Sequence, residues 1–376
     1  MLIFFVIIAL IAMGIFTFMQ TAVFGQNPEG ADLERIKKSP HYKNGKFENL
    51  SFTPDLAEDA TYWKILKEQF RKIENKTPNE PIPSVKTNLK QLPEQPQIVW
   101  FGHSSYLLRL NGKNILVDPV FSGYASPIPI FGKAYNATYN YTLADMPDVI
   151  DVLLISHDHY DHLDYKTVKA LQPKVKQVVT SLGLGSHLQH WGYDKAKINE
   201  LDWDEHISID SILNFTAQPA RHFSGRGLKR NQTFWSSFVL KTPTHNLFLG
   251  GDSGYDTHFK EIGEKHGPFD LAILECGQYN AYWKYIHTMP EQTAQAAIEL
   301  KAKVLLPVHW GKFTLALHPW YEPIERVTKK AAELNQPIIT PMIGQPVLIP
   351  AVSDHFDGII NTKKWWQRAN TTAVIY

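Results

Sequence analysis

Among 376 residues there is one cysteine, Cys276. A single thiol excludes an internal disulfide framework and any zinc finger built from cysteine pairs. Set at the end of the apolar run Leu271-Ala272-Ile273-Leu274, Cys276 reads as a small buried side chain. An excess of charge is missing too: 38 Lys and Arg stand against 37 Asp and Glu. With no basic surplus and no nucleic-acid-binding signature, a DNA or RNA partner is set aside. No short repeat recurs along the chain, which excludes a solenoid.

The most telling local absence is at the start. Residues 1–25, MLIFFVIIALIAMGIFTFMQTAVFG, contain no Asp, Glu, Lys or Arg. About 20 apolar residues in a helix cross the ~30 Å hydrocarbon core of a bilayer. The segment lacks the basic start of a secretory leader, and its apolar run exceeds the ~7–15 residues usual for one. It is read as an uncleaved single-pass membrane anchor, with a leader removed near Val23 or Gly25 as the alternative. Arg35, Lys37 and Lys38 are interspersed with Glu29, Asp32 and Glu34, so charge favours neither side of the membrane.

Residues 26–97 form an extension. Ser39-Pro40 and Asn44-Gly45 are turn signals. In EDATYWKILKEQFRKIENK, Tyr62, Ile65, Leu66, Phe70 and Ile73 recur at helical spacing, which predicts an amphipathic helix lying on the main domain. Lys64, Lys67, Arg71 and Lys72 on its polar face leave a membrane-surface role as the alternative. The proline-rich stretch that follows reads as a linker wrapped over the surface. From Ile98 to Pro350 the texture changes to short apolar runs, among them VLLIS, SSFVLKT, HNLFLGG, LAILEC and VLLPVH. PEQTAQAAIELK and PIERVTKKAAELN between them have helical periodicity. Such alternation predicts an α/β domain with helices outside and sheets within. Residues 351–376 are left as a tail, either a docking strand or loose.

What is abundant is ligand chemistry in one place. Directly after the apolar run Val152-Leu153-Leu154-Ile155 comes SHDHYDHLD. A buried strand ending here is a rigid point from which to present side chains. His157 and His159, two apart in extended chain, point the same way. Asp161 and His162 follow in the turn. Imidazole and carboxylate are preferred ligands of zinc, which takes about four of them. Three more ligand-type residues stand at or just beyond the ends of other apolar runs: His222 in PARHFSGR, Asp252 in FLGGDSGYD, and His309 in VLLPVHWG. Any one alone would pass as an ordinary histidine or turn aspartate. Together they supply two shells: His157, His159 and His222 for one ion, and Asp161, His162 and His309 for another, with Asp252 bridging. Two ions held ~3.5–4 Å apart can share a hydroxide.

HDHYDH, His222, GGDSGYD and PVHWG resemble, in order and context, the metallo-β-lactamase fold superfamily. The segments FGHSSYLLRLNGKNILVDPVFS, PARHFSGRG, YWKYIHTMPEQ and VHWGKFTLA are similar to its N-acylphosphatidylethanolamine-hydrolysing phospholipase D group and that group's bacterial relatives. NPEGADLERIKKSPHYKNGKFEN resembles the extension of those relatives. The resemblance implies a four-layer αββα sandwich with two zinc ions at one edge, iron or manganese being alternatives. It implies cleavage of a phosphodiester, such as that of a membrane phospholipid, by hydroxide held between the ions. By the same resemblance Asp118 hydrogen-bonds near a metal-ligating histidine, His287 lies beside the substrate phosphate, and His103 is supporting structure. Asp161 orients the nucleophile and His287 donates a proton to the leaving group. Phe131, Tyr135, Trp283 and Tyr285 are candidates for a groove that takes acyl chains. A lactonase or other small-molecule metallo-hydrolase of the same fold is the alternative, and a metal-binding scaffold without turnover a third reading.

Overall fold

The structure, a computed structural model, describes residues 1–350 and 364–367. Two sheets carry the fold. One has seven strands, in the spatial order Pro346–Leu348, Gln97–Trp100, Tyr106–Leu110, Lys113–Val117, Ile150–Ile155, Val175–Ser181, Ile198–Leu201. The other has six: Leu305–Val308, Leu271–Glu275, Asn246–Leu249, Ser237–Lys241, Leu213–Gln218, His206–Ile209. In each sheet one half is an antiparallel meander and the other half parallel.

Local chemistry explains the joints. Asn111 and Gly112 both hold positive φ, 49° and 74°, between strands paired through Leu110 and Lys113. That is the two-residue hairpin turn whose backbone twist matches its flanking strands. The run IVWFGHSSYLLRL splits into two strands around a turn, Phe101–Ser105, that carries His103. Strands Ile150–Ile155 and Leu271–Glu275 are buried along their whole length. An unbroken apolar strand of this kind needs cover on both faces. Between the sheets, Leu107, Leu116, Val152 and Leu154 share one apolar cluster with Phe238, Leu240, Phe248, Ile273 and Leu306. Outside, helix Pro290–Glu299 lies on Leu271–Glu275 and Leu305–Val308 and packs against helix Glu322–Glu333. On the other sheet, helix Gly185–His190 lies beside Ile198–Leu201. The layering is the αββα arrangement expected from the sequence.

Three expectations need correcting or completing. The helix in the extension is short, Tyr62–Gln69, and its apolar face meets the domain only in part: Ile65 is half-buried and Tyr62 borders a cleft, while Trp63, Leu66 and the capping Phe70 are exposed. The proline-rich linker does follow the surface, but it inserts Ile82 and Leu89 into the main core. Most of the 351–376 tail lies outside the described residues. Within it Trp365 and Trp366 are buried in a 3-10 turn, with the Trp365 ring stacked on Trp310 at 5.3 Å. At the other end, helix Leu2–Met19 is apolar and exposed throughout, long enough to cross a membrane.

Candidate metal centre

The parallel strands of both sheets deliver polar residues to one edge. Asp118 follows Lys113–Val117, the HDHYDH turn follows Ile150–Ile155, Asp252 follows Asn246–Leu249, Glu275 ends Leu271–Glu275, and His309 follows Leu305–Val308. Glycines make the approach between these ends close. A Cβ on Gly250 would stand 2.8 Å from the Ile273 carbonyl, and one on Gly251 would stand 3.0 Å from Ser156 Cβ. His103, Asp118 and His309 all take left-handed backbone, φ 53°, 40° and 68°. Conformations of this kind store on the order of 1–3 kcal/mol each and persist where surrounding structure over-determines them.

Two groups of ligand atoms result, each within a sphere suited to one ion: His157, His159, His222 and Asp252, and His103, Asp161, His162 and His309; Asp252 and His309 also cluster with Glu275 and His287. In the first, Nε2 of His157 and Nε2 of His222 approach Nδ1 of His159 to 2.9 and 3.1 Å. Three imidazole nitrogens directed at one point cannot all be satisfied by protons, whereas a cation satisfies them together. Asp252 Oδ2 stands 3.8 Å from both His157 and His222 and 3.2 Å from His162 Nε2, while Oδ1 is 3.1 Å from His309 Nδ1. Asp252 therefore faces both groups. Nε2 of His162 and Oδ1 of Asp252 are buried without a hydrogen-bond partner among the described residues, as orphaned ligand atoms would be.

The atoms behind the ligands fix which nitrogen is offered. Asp118 accepts from His162 Nδ1 at 2.8 Å and from Ser156 through both N and Oγ, at 2.8 and 2.6 Å. His222 Nδ1 donates to the Ile286 carbonyl at 2.8 Å. In His222 this leaves Nε2 with its lone pair inward, the arrangement that raises a ligand's basicity and holds its ring, and Asp118 fixes the His162 ring from the same side. Burial, helped by the neighbouring imidazoles, pushes the pKa of His157 and His222 well below the usual histidine range. Burial opposes the charges of Asp161 and Asp252, yet His162 with His103 or His309 beside them holds both carboxyls well below the carboxylate range. Neutral imidazoles and ionised carboxylates are the forms that bind metal. Despite its burial, His162 is raised by Asp252, Asp161 and Asp118.

Beside the metal groups, His287 Nδ1 is 2.6 Å from Glu275 Oε2. Burial raises Glu275 to about 7, while the Glu275 carboxylate overcomes burial to raise His287 to about 9. Glu275 was not anticipated. The signal that exposed Asp252 and His309, a ligand-type residue closing an apolar strand, applies to it equally. His103 is more than scaffolding: its Nε2 lies 2.7 Å from Asp161 Oδ2.

A cleft of about 310 Å³ opens onto Asp161, Asp252, His159, His287 and His309. Leu56, Tyr62, Phe223, Trp283, Ile286 and Leu315 form its apolar wall, and Asp55 and Arg230 stand at its polar side. Of the four groove candidates, Trp283 lines this cleft. Tyr285 instead stacks under Arg221 at 4.6 Å and bonds to Glu58. Tyr135 lines a separate cavity and bonds to Thr314, and Phe131 is exposed away from the cleft, because residues 121–141 fold against the linker and Lys312.

Residues 113–310 match the family model described as "Beta-lactamase superfamily domain". An uncharacterized protein of Mycobacterium tuberculosis is 39% identical over 85% of this chain and 88% of its own length. The N-acyl-phosphatidylethanolamine-hydrolyzing phospholipase D 1 of Caenorhabditis elegans is 32% identical over 61% of this chain and 67% of its own. Among solved structures, the isothiocyanate hydrolase from Delia radicum gut bacteria superposes with a TM-score of 0.53 at 16% identity, over 68% of this chain and 100% of that one, which speaks for the fold. Sheets, ligand edge and relatives agree, and the chain belongs to the metallo-β-lactamase superfamily as one of its metal-dependent hydrolases.

Proposed function

We propose that the protein is a two-zinc phosphodiesterase acting on a membrane phospholipid, of the N-acylphosphatidylethanolamine type, in a phospholipase D reaction. The observation that carries the metal part is the pair of ligand groups with Asp252 at their junction, a member of one and 3.2 and 3.1 Å from His162 and His309 of the other. His157, His159 and His222 would hold one ion, and Asp161, His162 and His309 the other. Bound there, the pair lowers the pKa of water so that hydroxide is available at neutral pH, and neutralises charge developing on phosphate.

The chain's own residues do the rest. Asp161, steadied by His103, lines the cleft and orients the attacking water. Glu275 holds His287 by Nδ1, so that Nε2 is the atom with a proton to give. At about 9 the imidazolium persists at neutral pH, and it protonates the departing alcohol. Breaking the bond between phosphorus and the head-group oxygen leaves phosphatidic acid and a free alcohol. The apolar cleft wall and the exposed helix Leu2–Met19 support a substrate that resides in a bilayer. The C. elegans relative, named for hydrolysing such a lipid, supports the same class.

Full-length protein in detergent, its metal counted, would be given N-acylphosphatidylethanolamine and, in separate reactions, a chromogenic soluble phosphodiester and a lactone. Phosphatidic acid formed by the wild type and lost with chelator or in Asp161→Ala is the expected result. Turnover of the soluble diester or the lactone alone would retire the lipid assignment while keeping the metal centre.

A further inference from the structure

We infer that residues 22–26, the exit from the apolar N-terminal helix, are a working part of the metal-ligand loop, joined to it by Arg226 and His187 as positioning residues. The inference rests on the reading of the HDHYDH turn as metal ligands.

Arg226 is 4% exposed and takes carbonyl oxygens rather than a carboxylate as partners. Nη1 donates to the carbonyls of Asp158 and Leu163, both at 2.7 Å. These two residues bracket His159, Asp161 and His162. From its other side the guanidinium donates to the Val23 carbonyl, through Nε at 3.2 Å and Nη2 at 2.7 Å. It lies over the ring of Tyr160 at 4.1 Å, and the Tyr160 hydroxyl donates to the Arg226 carbonyl at 2.6 Å. One planar cation thus staples both ends of the ligand loop to the exit segment. A guanidinium suits the task because its fixed fork of donors reaches several acceptors at once.

A second link runs in parallel. The Gln26 amide donates to His187 Nδ1 at 3.0 Å, and His187 Nε2 faces Asp158 Oδ2 at 3.2 Å. The Asp158 carboxylate also accepts from the Gly225 amide at 2.7 Å and from Thr233 Oγ1 at 2.9 Å. Trp191 Nε1 donates to the Ala22 carbonyl at 2.7 Å, and the Phe24 ring meets Tyr160 edge-on at 6.3 Å. Gly25, at φ 71°, passes so close that a Cβ would stand 2.2 Å from His187 Nδ1. A segment that served only as a tether would need none of these contacts. Two peptide carbonyls and one amide of the exit are instead acceptors and donor for the groups that hold the ligand loop. The exit of the apolar helix is therefore hydrogen-bonded to the same side chains that hold the ligand loop.

The test uses full-length protein in detergent with the variants Gly25→Val and Arg226→Lys, and Gly14→Val in the helix, where a Cβ meets nothing within 4 Å, as control. Three readouts are taken: hydrogen exchange of amides 157–163, zinc retained against a chelator, and kcat and KM on a soluble chromogenic phosphodiester. Gly25→Val should raise loop exchange and weaken zinc retention by about 10–100-fold, the usual consequence of losing a ligand's support. Its kcat should fall at unchanged KM, with amides of the remote helix Glu322–Glu333 exchanging as in the wild type. Arg226→Lys should fall between, since an ammonium cannot serve both sides of the joint, and Gly14→Val should match the wild type. Wild-type exchange and zinc retention in Gly25→Val would overturn this inference alone. Absence of any bound zinc, iron or manganese from the wild type would instead remove the ligand reading beneath it.

Discussion

Three residues apart on one turn, His309 and Lys312 face two different interiors. His309 looks into the candidate metal edge, where the Asp161 and Asp252 carboxylates have imidazoles within about 4 Å. Lys312 looks toward a cavity of about 300 Å³ walled by Phe101, Phe121, Tyr135, Tyr139 and Tyr141. Its Nζ donates to the Val120 carbonyl at 2.7 Å and lies near the rings of Phe121 and Phe313, with no carboxylate in ion-pair range among the described residues. Burial of this partly exposed side chain among aromatic rings is therefore the main influence, and Lys312 is lowered to about 7, with Asp164 opposing. Burial works against charge in both places. At the metal edge it is overruled by neighbours, and in the aromatic cavity it is not.

The largest way to break that contrast is to remove the shared carboxylate. Asp252→Ala should abolish turnover and strip at least half the bound metal, read by elemental analysis after desalting. His287→Ala comes next. Loss of its proton transfer should slow hydrolysis of an alkyl-leaving phosphodiester by about 10²–10⁴-fold. With a nitrophenyl leaving group, which departs without a proton, the loss should shrink to a few-fold. An equal loss on both substrates would assign His287 to binding instead. Glu275→Gln should show the same pattern at about 10–100-fold, since it removes only the partner that orients the imidazole.

The smallest effect sharpens the other side of the comparison. A lysine with a folded pKa near 7, against 10.5 when unfolded, binds fewer protons folded than unfolded between those values. Its contribution is therefore destabilising below about pH 7 and is relieved as pH rises toward 10.5. Lys312→Met should unfold at a higher urea midpoint than wild type at pH 6.5, and the gap should close by about pH 10. A gap independent of pH would mean that packing, not charge, sets the difference.

How much of this could be read from the sequence depended on distance along the chain. The HDHYDH turn declares itself because four ligand residues lie within one turn after an apolar strand. Asn111-Gly112 declares its hairpin because the turn chemistry is local. Asp252 and His309 were legible through strand ends, and Glu275 would have been by the same logic. Arg226 and His187 were not, since their meaning lies in carbonyls and amides some 160 to 200 residues away in sequence. The helix Tyr62–Gln69 shows its periodicity in the sequence but not how far it seats on the domain, because helical spacing says which residues share a face but not how much of that face is covered.

Trp310 follows His309 directly, and its ring lies among those of Trp100, Trp320, Trp365 and Trp366, at 5.3 to 6.3 Å. Two of these indoles belong to residues 365 and 366, so the packing behind the turn that carries His309 is finished only after translation has passed that point. A chain halted before residue 364 would lack two of the rings that surround Trp310.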